Sequence, residues 1–133
     1  MSVLKTIKFF TEAINSADIE KLAELMTKNH TFIDADGSEY YGSDKMREGW
    51  SNYFSMVPDF KIKIRESFER NNTLILIGTA EGTFIEKGKL KTENHWKVPA
   101  AWRGIVKNDK VSTWQLFCNQ EPIIKIYNRI NRV

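Results

Sequence analysis

Phe60-Lys61-Ile62-Lys63-Ile64-Arg65 alternates apolar and basic residues without a break, and it marks where the chain changes character. A period of two sends one side chain to a core and the next to water, which predicts a half-buried strand with one wet face. The same reading continues downstream. Asn71-Asn72 turns the chain into a strand over 73–85, whose Leu74-Ile75-Leu76-Ile77 run is apolar on both sides and predicts a central position. Lys87-Gly88 reverses it into a strand over about 89–107, and Asn108-Asp109 reverses that one into 110–119 and on toward Tyr127. Strands this long must twist, with Gly78, Gly82, Pro99 and Gly104 as the expected bends or bulges.

Upstream of Pro58 the period is helical. Val3, Leu4, Ile7, Phe10 and Ile14 recur at spacings of three and four, predicting a helix over 2–15 with Ser2 as N-cap and Asn15-Ser16 as stop. Asp18 caps a shorter helix with Ile19, Leu22, Leu25 and Met26 on one stripe, and the two helices form a hairpin. His30–Asp34 is a short strand closed by Asp36-Gly37. Ser43 caps a third helix in which Met46, Trp50, Tyr53 (or Phe54) and Val57 share a face, and Pro58 ends it. The tail 124–133 alternates apolar and basic residues and reads as a loosely ordered end that packs on a partner subunit. The fold class is therefore α+β: three N-terminal helices on one face of a strongly curved, mostly antiparallel sheet, with a pocket between them.

The chain has 133 residues, 41% hydrophobic and 28% charged, which suits one globular domain over 1–133. Eight Phe, four Trp and four Tyr are too many for a disordered chain. The lone Cys118 makes neither an internal disulfide nor a cysteine-based metal site, so a cytoplasmic location is expected. No 18-residue apolar run or signal-peptide core is present, so no membrane partner is expected. A net charge of +3 is a mild excess and not a nucleic-acid-binding composition. Lys61, Lys63 and Arg65 read as a solvated sheet edge, without the aromatic pair on central strands that RNA-binding sheets need. Two histidines among scattered carboxylates show no metal-ligand spacing, and neither metal nor cofactor is expected.

Four segments carry a resemblance: Asn15-Ser16-Ala17-Asp18-Ile19-Glu20-Lys21-Leu22; His30-Thr31-Phe32-Ile33-Asp34; Tyr41-Gly42-Ser43-Asp44, leading into an aromatic helix ended by Pro58-Asp59; and Trp102-Arg103-Gly104-Ile105-Val106-Lys107-Asn108-Asp109-Lys110-Val111, followed by Trp114-Gln115. In that order and spacing, over about 3–127, the chain resembles the nuclear transport factor 2-like superfamily in its SnoaL-like and ketosteroid-isomerase-like branch. The resemblance implies a cone-shaped, cystatin-like α+β roll, a homodimer through the outer sheet face, and a mostly apolar pocket between helices and sheet. It implies no single reaction, since members include isomerases, aldol cyclases, dehydratases, epoxide hydrolases and proteins without catalysis.

Asp34 is the first candidate for chemistry, because the resemblance matches it to the carboxylate that shuttles the proton in ketosteroid isomerases. A carboxylate at the rim of an apolar cavity is suited to take a proton from carbon next to a carbonyl. Asp34-Ala35-Asp36-Gly37 also reads as a plain turn in which Asp34 bonds nearby amides. The isomerases' oxyanion donors would fall at Phe10 and near Ala101, neither of which donates a side-chain hydrogen bond. Tyr53, Trp50, Trp102 and His95 are the replacements. If Ala101 faces the pocket, alternation brings His95 to the same face, where it polarises a carbonyl or relays a proton to Asp34. His30 reads as a capping or surface residue.

Trp50, Tyr53, Trp102 and Trp114 are the candidate binding residues, with Trp114, Leu116 and Cys118 on the cavity face and Phe117 turned toward a dimer interface. Arg103 is expected to pair with Glu81. Epoxide opening would need a second Asp where Asn119 stands. The expected ligand is a small, apolar or carbonyl-containing molecule. Two functions remain open: cofactor-independent isomerisation, cyclisation or dehydration with Asp34 as base and His95 or Tyr53 as oxyanion donor, and a non-catalytic ligand-binding or protein-interaction domain.

Overall fold

A computed structural model describes residues 1–132; Val133, the last residue of the tail, lies outside them. In chain order the elements are α1 (Val3–Asn15), α2 (Ile19–Glu24), β1 (Met26–Ile33), β2 (Glu39–Tyr41), α3 (Ser43–Met56), β3 (Lys61–Arg70), β4 (Thr73–Glu86), β5 (Lys89–Lys107), β6 (Lys110–Cys118) and α4 (Glu121–Ile130). The strands form one mixed sheet of order β2-β1-β6-β5-β4-β3. Its neighbours are antiparallel except β1 and β6, which run parallel. The class is α+β, N-terminal helices plus a six-stranded sheet.

The hairpins form where the turn residues dictate. Asn71, Lys87, Asn108 and Asp109 all adopt positive φ, as two-residue turns between twisted strands require. Ser2 accepts a hydrogen bond from Lys5 N and caps α1, and Asp18 does the same for α2 through Lys21 N. Asn15 then ties the end of α1 to β3, donating to Ile62 O at 2.9 Å and accepting from Ile62 N at 2.8 Å.

The helices cover one sheet face. Along β5 the residues Trp96, Val98, Ala100, Trp102 and Val106 are buried, and on β4 Leu74, Leu76 and Ala80 join them. Gly104 sits under α1: a Cβ there would lie 2.6 Å from Ile7 Cδ1. The sheet is irregular at four places, Met26/Thr31, Ile64/Glu66, Thr83/Ile85 and Ile105/Val106. Pro99 was an expected bend, yet the register with Thr79 runs through it unbroken.

Several expectations are corrected. β1 begins at Met26 rather than His30, and the short β2 was not foreseen. Gly42, at φ +98, occupies the cap position of α3, with Ser43 the first helical residue and no side-chain cap bond. β4 lies between β3 and β5, but only one of its faces is buried; Ile77 on the other is 38% exposed. The described stretch of the tail is helix α4, not a loose end: Glu121-Pro122 places proline in the first turn, where its missing N–H costs nothing. No helix among the described residues is long and apolar enough to cross a membrane.

Candidate functional site

Between α3 and the covered sheet face lies a cavity of about 480 Å³. Its walls are aromatic, and α3 contributes by helical spacing: Met46, Trp50 and Tyr53 all line it. Tyr53 meets the rings of Trp50 and Phe60 edge-on, at 6.2 and 5.1 Å between centroids. From the sheet come Trp96, Trp102 and Trp114, the last two stacked at 6.4 Å. Trp114, Leu116 and Cys118 line it together, as period two demands, while Phe117 points outward and is 49% exposed.

Asp34 also lines the cavity, at the turn between β1 and β2. The turn is real: Asp34 N donates to Ser38 O, and Gly37 N to Asp34 O, both at 2.9 Å. Asp34 Oδ1 accepts from Ala35 N at 2.7 Å and from Gln120 Nε2 at 3.0 Å. Oδ2 has no protein donor among the described residues. Asp34 is thus a turn residue and a cavity residue together.

Tyr53 supplies the complementary group. Burial pushes its phenol pKa well up, and the charge of Asp34 adds to that, followed by smaller contributions from Cys118 and Asp59. The hydroxyl therefore keeps its proton at neutral pH. Burial likewise raises the Cys118 thiol, with Asp34 adding to it, so Cys118 lines the wall as a neutral group.

The structure therefore brings Asp34, Trp50, Tyr53, Trp102 and Trp114 to one cavity. It does not bring His95. In register with Thr83, His95 lies on the outer sheet face and is 43% exposed, its Nδ1 2.8 Å from Thr83 Oγ1 and its Nε2 3.2 Å from Glu81 Oε2. The reason is parity: Trp96, Val98, Ala100 and Trp102 fill the inner face of β5, so Ala101 and His95 must point outward. Glu81 is accordingly not the partner of Arg103, whose Nε donates to Gln115 Oε1 at 3.1 Å. His30 is neither cap nor surface residue: it is fully buried, with Nδ1 2.7 Å from Val111 O. Phe10 is buried against Trp114 at 4.9 Å between centroids and contributes no polar group.

Gln120 was missed by the sequence reading. The signal available was Glu121-Pro122 followed by Ile123, Ile126 and Ile130, a helix start and stripe that would have placed Gln120 at the mouth of a new element. Among the described residues no three of His, Cys, Asp and Glu converge to hold a metal ion.

The family model for the SnoaL-like domain matches residues 7–114. No curated protein matches the sequence. Among solved structures, a proposed SnoaL-like polyketide cyclase from Shewanella denitrificans superposes with a TM-score of 0.81 at 12% identity, covering 96% of this chain and 97% of that one. An epoxide hydrolase of the LEH-like type from Mycobacterium tuberculosis gives 0.78 at 11% identity, covering 96% and 90%. An NTF2-like protein of unknown function from Cytophaga hutchinsonii gives 0.71 at 15% identity, covering 93% and 96%. At these identities the likeness is one of fold.

Proposed function

We propose, since the chain belongs to the SnoaL-like domain family, that its cavity binds a small, largely apolar carbonyl compound and moves a proton beside the carbonyl. Asp34 takes the proton on its unpartnered Oδ2, and the Tyr53 hydroxyl holds the developing oxyanion. Isomerisation, cyclisation and dehydration all need only these two groups, without a cofactor. One observation carries the reading: a carboxylate with a free oxygen and a phenol held neutral by burial face the same aromatic cavity. His95 has no role in it.

The reading includes a sheet strongly curved around the cavity, supported by the three register shifts of its long strands. It also includes a homodimer through the outer face. There Ile77, Ala101 and Phe117 are cross-strand neighbours, and Phe68 pairs with Ile75 in the next row, which continues into Arg103 and Gln115, so a mixed face with exposed large apolar side chains is left uncovered in the single chain. A small molecule and a second copy are then the partners, with neither nucleic acid nor membrane. The single, half-buried thiol of Cys118 supports a reducing, cytoplasmic setting.

A second reading, ligand binding without turnover, is favoured by the two hydrogen bonds that already occupy Asp34 Oδ1 and by the absence of donors at Phe10 and Ala101. Asp34→Asn and Tyr53→Phe, assayed on a panel of cyclic ketones and enones, separate the two. Catalysis predicts turnover reduced by roughly 100-fold or more in Asp34→Asn, with ligand affinity changed less than about threefold. A variant that turns over like the wild type sinks the proton-transfer reading.

A further inference from the structure

We propose that Gln120 is the positioning residue for Asp34, and that helix α4 is the element that seats it. The inference rests on Asp34 being the cavity's proton acceptor, but the geometry behind it stands apart from any turnover.

A carboxylate on a turn has two soft torsions, and a base must be held to a few tenths of an ångström to meet a substrate proton. Two donors converge on Asp34 Oδ1. Ala35 N, at 2.7 Å, belongs to the same turn and fixes the carboxylate only locally. Gln120 Nε2, at 3.0 Å, comes from a different element 86 residues away and fixes the carboxylate against the body of the protein. With Oδ1 facing two N–H groups, protonation there would set a proton against two others. Oδ2 is the oxygen left to accept one. Gln120 thus selects which oxygen works and holds its plane.

The seating of Gln120 depends in turn on α4. Gln120 stands at the N-cap of that helix without a side-chain capping bond, so its carboxamide is free to serve Asp34. The helix buries none of its residues fully; Ile123, Ile126 and Ile130 are only partly covered, and Ile123 lines the cavity. Polar contacts add to this apolar packing. At the far end Arg129 Nη2 donates to Asn94 Oδ1 at 2.8 Å and to Glu93 O at 2.9 Å. Asn94 is fully buried, and its Nδ2 donates to Glu86 Oε1 at 3.0 Å. Tyr127 rests on Phe84, with 5.9 Å between ring centroids. The helix is a strap with a latch at each end, Arg129 on Asn94 and Gln120 on Asp34.

Proton and nitrogen NMR of the Gln120 side-chain amide in the full chain tests this, with the signal assigned by its disappearance in Gln120→Ala. In the wild type the bonded amide proton should shift when the pH is lowered. The response should vanish in Asp34→Asn. That control separates Asp34 from Glu48 at the cavity wall, while Tyr53 and Cys118, both raised by burial, stay protonated throughout. Arg129→Ala, far from the cavity, should at least halve the response and speed amide exchange in α4 by roughly tenfold, as loss of hydrogen bonds to a charged donor demands. An amide signal indifferent to pH in the wild type, or one unchanged in Arg129→Ala, overturns the proposal. Asp34→Asn that keeps full turnover would instead sink the catalytic reading and leave the amide coupling intact.

Discussion

Acidifying the protein from about pH 7.5 to about pH 5.5 should cost it stability through one residue, His30. Its side chain is fully buried, with Nδ1 2.7 Å from Val111 O and Nε2 without a partner among the described residues. The ring of Phe10 lies beside it, 6.2 Å between centroids. The Val111 carbonyl requires Nδ1 to carry the proton, so a second proton must go to Nε2, where no acceptor waits. Burial accordingly lowers the pKa of His30 from 6.5, and the bond to Val111 offsets only some of that. The sign follows: below about pH 6.5 the unfolded chain binds a proton that the native chain refuses, so stability falls as pH falls. If the native imidazole stays neutral, the unfolded state gains about 1.4 kcal/mol over this window, a factor of ten in the folding constant. Guanidinium denaturation at a series of pH values measures it, with His30→Asn as reference because Asn can still donate to Val111 O. The wild type should lose stability relative to His30→Asn as pH drops, at a slope approaching about 1.4 kcal/mol per pH unit. A wild-type-minus-variant difference that stays flat between those pH values would refute the argument.

Two further predictions follow from packing. A Cβ at Gly78 would lie 1.7 Å from Lys63 O and 2.8 Å from Lys63 C, both backbone atoms beside the β3 bulge, so Gly78→Ala must push β3 and β4 apart. It should cost about 3 kcal/mol or more, whereas Gly37→Ala, with nothing within 4 Å but φ at +89, should cost only about 1 kcal/mol; calorimetric melting temperatures in the reverse order would contradict this. On the outer face Phe68, Ile77 and Phe117 are 57%, 38% and 49% exposed in the single chain. Light scattering behind a sizing column should give twice the chain mass of 15.5 kDa and a monomer for Phe117→Glu, and a wild-type monomer at micromolar concentration removes the dimer.

What was legible in the sequence was what neighbouring residues decide among themselves. Ser2 and Asp18 cap their helices, and Asn71, Lys87 and Asn108-Asp109 turn the strands, because each acts within a few residues of itself. The face of His95 is legible as well, from the residue types along β5. Trp96, Val98, Trp102 and Val106 occupy even positions of β5 while His95, Lys97 and Arg103 occupy odd ones, so the bulky apolar set claims the core and the charged set is sent out. Matching Ala101 to a catalytic position of the isomerases set the parity wrong by one residue, which in a strand inverts every side chain. The parallel pairing of β1 with β6 was a different matter, since nothing within either strand announces a neighbour some eighty residues away. That one pairing also decides the site. It sets Ile33 opposite Gln115, so the two strands end at the same edge of the cavity. Asp34 follows directly on one of them and Gln120 lies two residues past the other. Missing the pairing therefore meant missing Gln120, and the one contact that holds the candidate base against the rest of the protein is a consequence of topology.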